Sequence, residues 1–74
     1  MNVFRINTTA WAEEDFYLVT TLDEEDVVSV IEPIVMAERD GGDEYDNDML
    51  LYHLKQKFPQ HDIEMYNEFT EIYF

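Results

Sequence analysis

Histidines, one serine and a surplus of carboxylates are the side chains of this chain that could do chemistry. His53 and His61 are the only histidines, and there is no cysteine. A metal site could be drawn from a histidine with Asp62 or Glu64 nearby. The spacing matches no His-Glu-x-x-His pattern, and no thiolate can complete a zinc set. Residues 40–48 (Asp-Gly-Gly-Asp-Glu-Tyr-Asp-Asn-Asp) have the composition of a calcium loop. An EF-hand loop needs oxygen ligands at its first, third and fifth positions, glycine at the sixth and glutamate at the twelfth. Counting from Asp40 puts Gly42 third and Tyr45 sixth, and counting from Asp43 puts Tyr45 third and Asp48 sixth, so neither register fits. Neighbouring acids such as Glu13 and Glu14 could form an acid–base pair, but 18 acids in 74 residues produce such pairs by chance. Ser29, the only serine, falls inside a predicted helix, and no glycine-rich phosphate loop exists. A chain this short has little room for a water-excluding pocket. The residues read as a non-enzyme with no cofactor and no dedicated metal.

The elements follow from periodicity. Residues 3–9 alternate as a strand, Phe4, Ile6 and Thr8 against Val3, Arg5 and Asn7, and residues 16–22 as a second, Phe16, Leu18 and Leu22 against Tyr17, Val19 and Thr21. Residues 10–15 form a hairpin connection with an acidic tip. A helix follows, capped by Thr21 with Glu24 as a capping box or by Asp23. Val27, Val30, Ile31, Ile34 and Val35 recur at helical spacing. Pro33 interrupts them: the helix kinks there, or one helix ends near Glu32 and another begins at Pro33, with a strand over 34–37 as a rival; the kinked helix is the preferred reading. Gly41 and Gly42 end it. A second helix starts near Asp46, with Tyr45 and Leu50 as a hydrophobic staple, and stops at Pro59. Residues 63–74 read as a last strand, or two around Asn67 and Glu68. The order is β-β-α-α-β, an α+β domain with two helices on one face of a small antiparallel sheet.

Seventy-four residues make a single domain with a thin margin of stability. Its 46% hydrophobic and 15% aromatic content argues for folding against the disorder that acidity alone would suggest. The absence of cysteine, of a signal-like N-terminus and of a long apolar run reads as a cytoplasmic protein without a membrane segment.

The net charge of -14 speaks about partners. A folded body of this length is roughly 30 Å across, and a duplex of that length carries on the order of 18 phosphate charges. Such a protein is repelled by nucleic acid and attracted to basic proteins that bind it. The acids cluster: residues 13–26 hold seven and no base (Glu13, Glu14, Asp15, Asp23, Glu24, Glu25, Asp26), and residues 38–48 hold six against Arg39 (Glu38, Asp40, Asp43, Glu44, Asp46, Asp48). A solvated surface or salt adaptation is the plain explanation for charge runs. Against it, Glu38 and Asp40 fall at a helix C-terminus, where negative charge opposes the dipole. Trp11 and Tyr45 read as core anchors; if exposed, an aromatic rimmed by acids would suit an arginine-rich partner.

Glu13-Glu14-Asp15, Asp23-Glu24-Glu25-Asp26 and Asp43-Glu44-Tyr45-Asp46-Asn47-Asp48, on a tiny cysteine-free chain, resemble the small acidic proteins with which phages and mobile elements disable host nucleic-acid enzymes, the anti-restriction DNA mimics and acidic anti-CRISPR proteins. The likeness is one of composition. It implies a stoichiometric inhibitor, monomer or homodimer, acting in the host cytoplasm, whose carboxylates occupy a basic groove in a CRISPR effector or restriction nuclease without touching nucleic acid itself. The clustered acids and Tyr45 are the candidate contact residues. The alternative is an acidic interaction module, antitoxin-like or adaptor-like, whose target has nothing to do with nucleic acid and which pairs through exposed strand edges.

Overall fold

The computed structural model of the chain describes residues 1–7 and 15–66. Its elements are β1 (Asn2–Ile6), β2 (Phe16–Thr20), α1 (Glu24–Arg39), α2 (Asn47–Lys57) and β3 (Ile63–Tyr66), in the expected β-β-α-α-β order of an α+β fold. The strands form one antiparallel sheet in the order β1-β2-β3. Its register pairs Phe4 with Leu18 and Ile6 with Phe16 across one ladder, and Thr20 with Ile63 and Leu18 with Met65 across the other. Side chains alternate between faces along a strand, so these residues make one inward row. Phe16, Leu18, Thr20 and Ile63 are buried on it, and Phe4, Ile6 and Met65 half-buried. Val27, Val30, Ile31 and Val35 of α1 and Leu50 and Leu54 of α2 close the core from the other side. Burying each such aliphatic stabilises the fold by about 1.5–3 kcal/mol before chain entropy is counted.

Three strand boundaries differ from the sequence reading, one being that β1 ends at Ile6, before the described Asn7. β1 begins one residue earlier, at Asn2, while Thr8, Thr9 and the rest of 8–14, including Trp11, lie outside the described residues. β2 ends at Thr20, and Thr20 rather than Leu22 completes its buried row. The backbone turns because new partners take its N–H groups: Leu22 donates to Thr20 Oγ1 (3.1 Å) and Thr21 to the Asp62 carbonyl (3.1 Å). Leu22 is still fully buried, beyond the strand. The bond from Leu22 also satisfies the buried Thr20 hydroxyl. β3 is described from Ile63 to Tyr66, and the remainder of the predicted last strand, 67–74, is outside the described residues.

α1 is continuous through Pro33, so neither a second helix starting there nor a strand over 34–37 is formed. Pro33 is exposed; it gives up the helical hydrogen bond to the Ser29 carbonyl, and its ring crowds that same carbonyl. Asp23 is the N-cap, accepting from the Asp26 N–H at 2.9 Å. Thr21 is not the cap, because its hydroxyl accepts the Asp62 N–H instead (3.2 Å). At the other end, Gly42 N–H donates to the Ala37 carbonyl (2.8 Å) and Gly41 N–H to Glu38 (3.0 Å), the paired bonds of a Schellman turn. Gly41 has φ +88°, which suits glycine. Asp46 caps α2 by accepting from Met49 N–H (2.8 Å), and Tyr45 and Leu50 flank it as the buried staple. Among the described residues no helix is long and apolar enough to cross a membrane.

Candidate functional site

The acids that cluster in sequence divide in space. α1 rises about 1.5 Å per residue, so its sixteen residues separate Glu24 from Arg39 by roughly 22 Å. One acidic group, Asp23, Glu24, Glu25 and Asp26, surrounds the N-terminus of α1, where carboxylates favour the dipole. The other, Glu38, Asp40, Asp43, Glu44, Asp46 and Asp48, occupies the end of α1, the connection and the first turn of α2. Glu32, exposed, is the only acid on α1 between the groups. Among the described residues these two helix groups therefore form dense poles joined by a sparse helix, not one phosphate-like stripe.

α2 returns alongside α1: Lys57 Nζ reaches Ser29 Oγ at 3.3 Å, and Ser29 Oγ donates to the Asp26 carbonyl (2.7 Å). The two lysines of the chain, Lys55 and Lys57, fall in the last turn of α2, and Lys57 lies beside the first half of α1. The connection pole at 38–48 has Arg39 as its only cation in the sequence. The two ends of the helical hairpin consequently differ in charge density, and the connection is the more strongly negative.

The candidate residues differ in what else they do. Asp15 is held by Arg5, whose Nη2 and Nε bond the same carboxylate oxygen at 2.7 and 3.0 Å. The hydrogen bond to Asp15, and then its charge, raise the Arg5 guanidinium further above its ordinary pKa. Asp23 and Asp46 use one carboxylate oxygen each as helix caps. Asp26 and Glu38 are half-buried. Glu24, Glu25, Asp40, Asp43, Glu44 and Asp48 are exposed. Glu13 and Glu14 lie outside the described residues. Tyr45 must be withdrawn as a contact residue: it is 6% exposed, and its ring is part of the core. The staple with Leu50 drives it inward, because that contact sets the entry of the chain into α2.

Among the described residues no three histidine or acidic side chains converge as a metal-binding group. His53 is exposed and meets Tyr52 edge to face. His61 packs edge-on against Phe58, and its Nδ1 lies 2.9 Å from Thr21 Oγ1. That junction ties the start of α1 to the start of β3 across forty residues of chain, and periodicity carries no signal for it. A furrow between β1 and α1 also escapes periodicity alone, although Val28 and Met36, two turns apart on α1 and both exposed, mark its rim. Compared with protein-family models, with curated proteins and with solved structures, the chain matches none of them.

Proposed function

We propose that this protein is an acidic decoy that occupies the basic groove of a defence nuclease, a CRISPR effector or a restriction enzyme, and keeps DNA or RNA from binding there. The observation that carries this reading is the connection pole: six acids within eleven residues, gathered at one end of a helical hairpin, with Arg39 their only neighbouring cation in sequence. Asp40, Asp43, Glu44 and Asp48 are exposed there and stand in for phosphates. Arginine is their natural counterpart, since its planar fork bonds a carboxylate bidentately. The glycine turn and the Asp46 cap anchor the two ends of the connection, which limits the entropy lost on binding. A body of charge -14 is steered to a basic groove quickly, and the rate falls with salt. Inhibition is stoichiometric and needs no catalytic group.

The test is a pull-down from host lysate at low and high salt, followed by competition with DNA on purified CRISPR effectors and restriction nucleases. Wild-type protein should displace nucleic acid at low salt and lose affinity as salt rises. Asp43→Asn with Glu44→Gln and Asp48→Asn should weaken it strongly. Salt-insensitive binding, or full activity in the triple variant, would refute the decoy reading. One observation favours the alternative module: the outer sheet face exposes Val3 and Tyr66 beside half-buried Val19 and Tyr17, with the Arg5–Asp15 ion pair and Glu64 as neighbouring charges. A mainly apolar interface with weak salt dependence would support that module.

A further inference from the structure

Asp40–Gly41 is the only place in the chain where an aspartate or asparagine precedes a glycine. Glycine has no side chain to shield its nitrogen. This pair therefore offers the least obstructed route by which a backbone nitrogen reaches the carboxyl of the residue before it. Asp40 is exposed to water, as are both glycines after it. Asp40 is also the C-cap of α1, and the bonds around it are those of the Schellman turn.

We propose that Asp40 is a site of spontaneous isomerisation to isoaspartate, and that the Schellman turn is the lock that holds the reaction back while the end of α1 is folded. The Gly41 nitrogen attacks Asp40 Cγ. A C–N bond forms there, the nitrogen gives up its proton and the carboxyl its hydroxyl as water, and a cyclic succinimide results. Water then adds to either ring carbonyl. Opening at Cγ returns aspartate. Opening at the backbone carbonyl breaks the original peptide bond and leaves the chain running through Cβ and Cγ. A water is lost and a water regained, so nothing is oxidised or reduced, and mass and carboxylate count are unchanged.

The folded geometry opposes the first step. The ring is flat, so closing it brings the Gly41 nitrogen into line with Asp40 Cβ about the Cα–C bond. At ψ 10° that nitrogen lies nearly in line with the Asp40 nitrogen instead. Turning the bond carries Gly41 away from the Glu38 carbonyl (3.0 Å) and Gly42 away from the Ala37 carbonyl (2.8 Å), so both Schellman bonds break before the ring closes. The reaction therefore runs through a local opening, and its rate follows the population of the open turn. Isoaspartate lengthens the backbone by a methylene, so the product cannot rebuild the lock. The pole at 38–48 then keeps its charge and loses the turn that shapes its start. The proposal concerns the covalent state of the connection and does not rest on the decoy reading.

The test incubates the full chain at neutral pH, folded in buffer and unfolded in guanidinium chloride. Samples are then mapped with a protease that cuts before aspartate but not before isoaspartate. The unfolded chain should lose the cut before Asp40 ahead of the cuts before its other aspartates. The folded chain should lose it at least about ten-fold more slowly, because the turn is mostly closed. Gly42→Ala, whose Cβ would stand 2.6 Å from the Ala37 carbonyl oxygen, should raise the folded rate at least about ten-fold at a temperature where circular dichroism shows it folded. In guanidinium chloride Gly42→Ala should react as the parent does, and Gly41→Ala several-fold more slowly, its methyl group shielding the nitrogen. No early loss at Asp40 in the unfolded chain, equal rates folded and unfolded, or a folded Gly42→Ala protein that reacts at the parent rate would overturn the proposal.

Discussion

Gly42→Ala should be the most damaging of the small changes at the α1–α2 turn, and the geometry says by how much. A Cβ built on Gly42 would stand 2.6 Å from the Ala37 carbonyl oxygen and 3.2 Å from its carbon. Carbon and oxygen in close contact keep about 3.3–3.6 Å apart, so the turn would have to open by about 0.7 Å or more. That opening stretches the 2.8 Å bond from Gly42 N–H to the same oxygen. Losing the bond costs about 1 kcal/mol, and the crowding, which falls on backbone and not on a flexible side chain, about 1–3 kcal/mol more. Gly41→Ala meets no atom within 4 Å, and its cost is the left-handed backbone alone, about 1–2 kcal/mol. Gly41→Asn should cost less, because asparagine tolerates that conformation. A chain of this length has a total stability of about 4–11 kcal/mol, and each kcal/mol lost lowers the melting point by about 4–8 °C. Thermal unfolding followed by circular dichroism should rank the variants Gly42→Ala below Gly41→Ala below Gly41→Asn. A Gly42→Ala protein that melts with or above Gly41→Ala would refute the reasoning.

Other outcomes follow from single contacts. Asp46→Asn keeps the α2 cap and should leave stability within a few tenths of a kcal/mol, whereas Asp46→Ala should lose about 1 kcal/mol; denaturant titration distinguishes them, and under the decoy reading both weaken binding to a basic groove by removing the same charge. The Tyr45 hydroxyl is buried with no hydrogen-bond partner among the described residues, so Tyr45→Phe should hold or raise the melting point, as an unsatisfied buried donor costs about 1–3 kcal/mol. Tyr66 donates to Glu64 Oε2 at 2.5 Å, and that bond, then the carboxylate charge, hold its phenol above the usual tyrosine range. The folded pKa exceeds the unfolded one, so the stabilisation is complete below the ordinary tyrosine pKa and is lost as pH rises through the raised value. Ultraviolet titration of Glu64→Gln against the parent should show one tyrosine ionising earlier.

Much of the fold was legible in the residues because its causes are local. Asp23 and Asp46 accept N–H groups three residues ahead, and Tyr45 and Leu50 are five apart, so caps and staple can be read directly from spacing. Pro33 was ambiguous for a physical reason: it removes one bond from α1, and burial of Val30, Ile31 and Val35 on either side outweighs that loss. The end of β2 was misread because Leu22 continues the alternation, while the turn depends on Asp62, forty-one positions from Thr21. Among the candidate contacts, exposure at 24–25 and 40–44 agrees with the clustering, but Asp15 is tied to Arg5 and Tyr45 is buried.

By itself the sequence determined the order of elements, the helix ends, the inward positions Phe4, Ile6, Phe16 and Leu18, and the net charge of -14. These rest on periodicity, capping and net charge, each of which acts within a few residues or on the chain as a whole. Only the tertiary structure decided that the described acids of the two helices form separate poles, that α2 brings Lys57 back beside α1, and that β1 and α1 leave a furrow between them. Those facts depend on where the chain returns after each turn. Packing of the core sets that return, through contacts between residues too far apart in sequence for any local pattern to register.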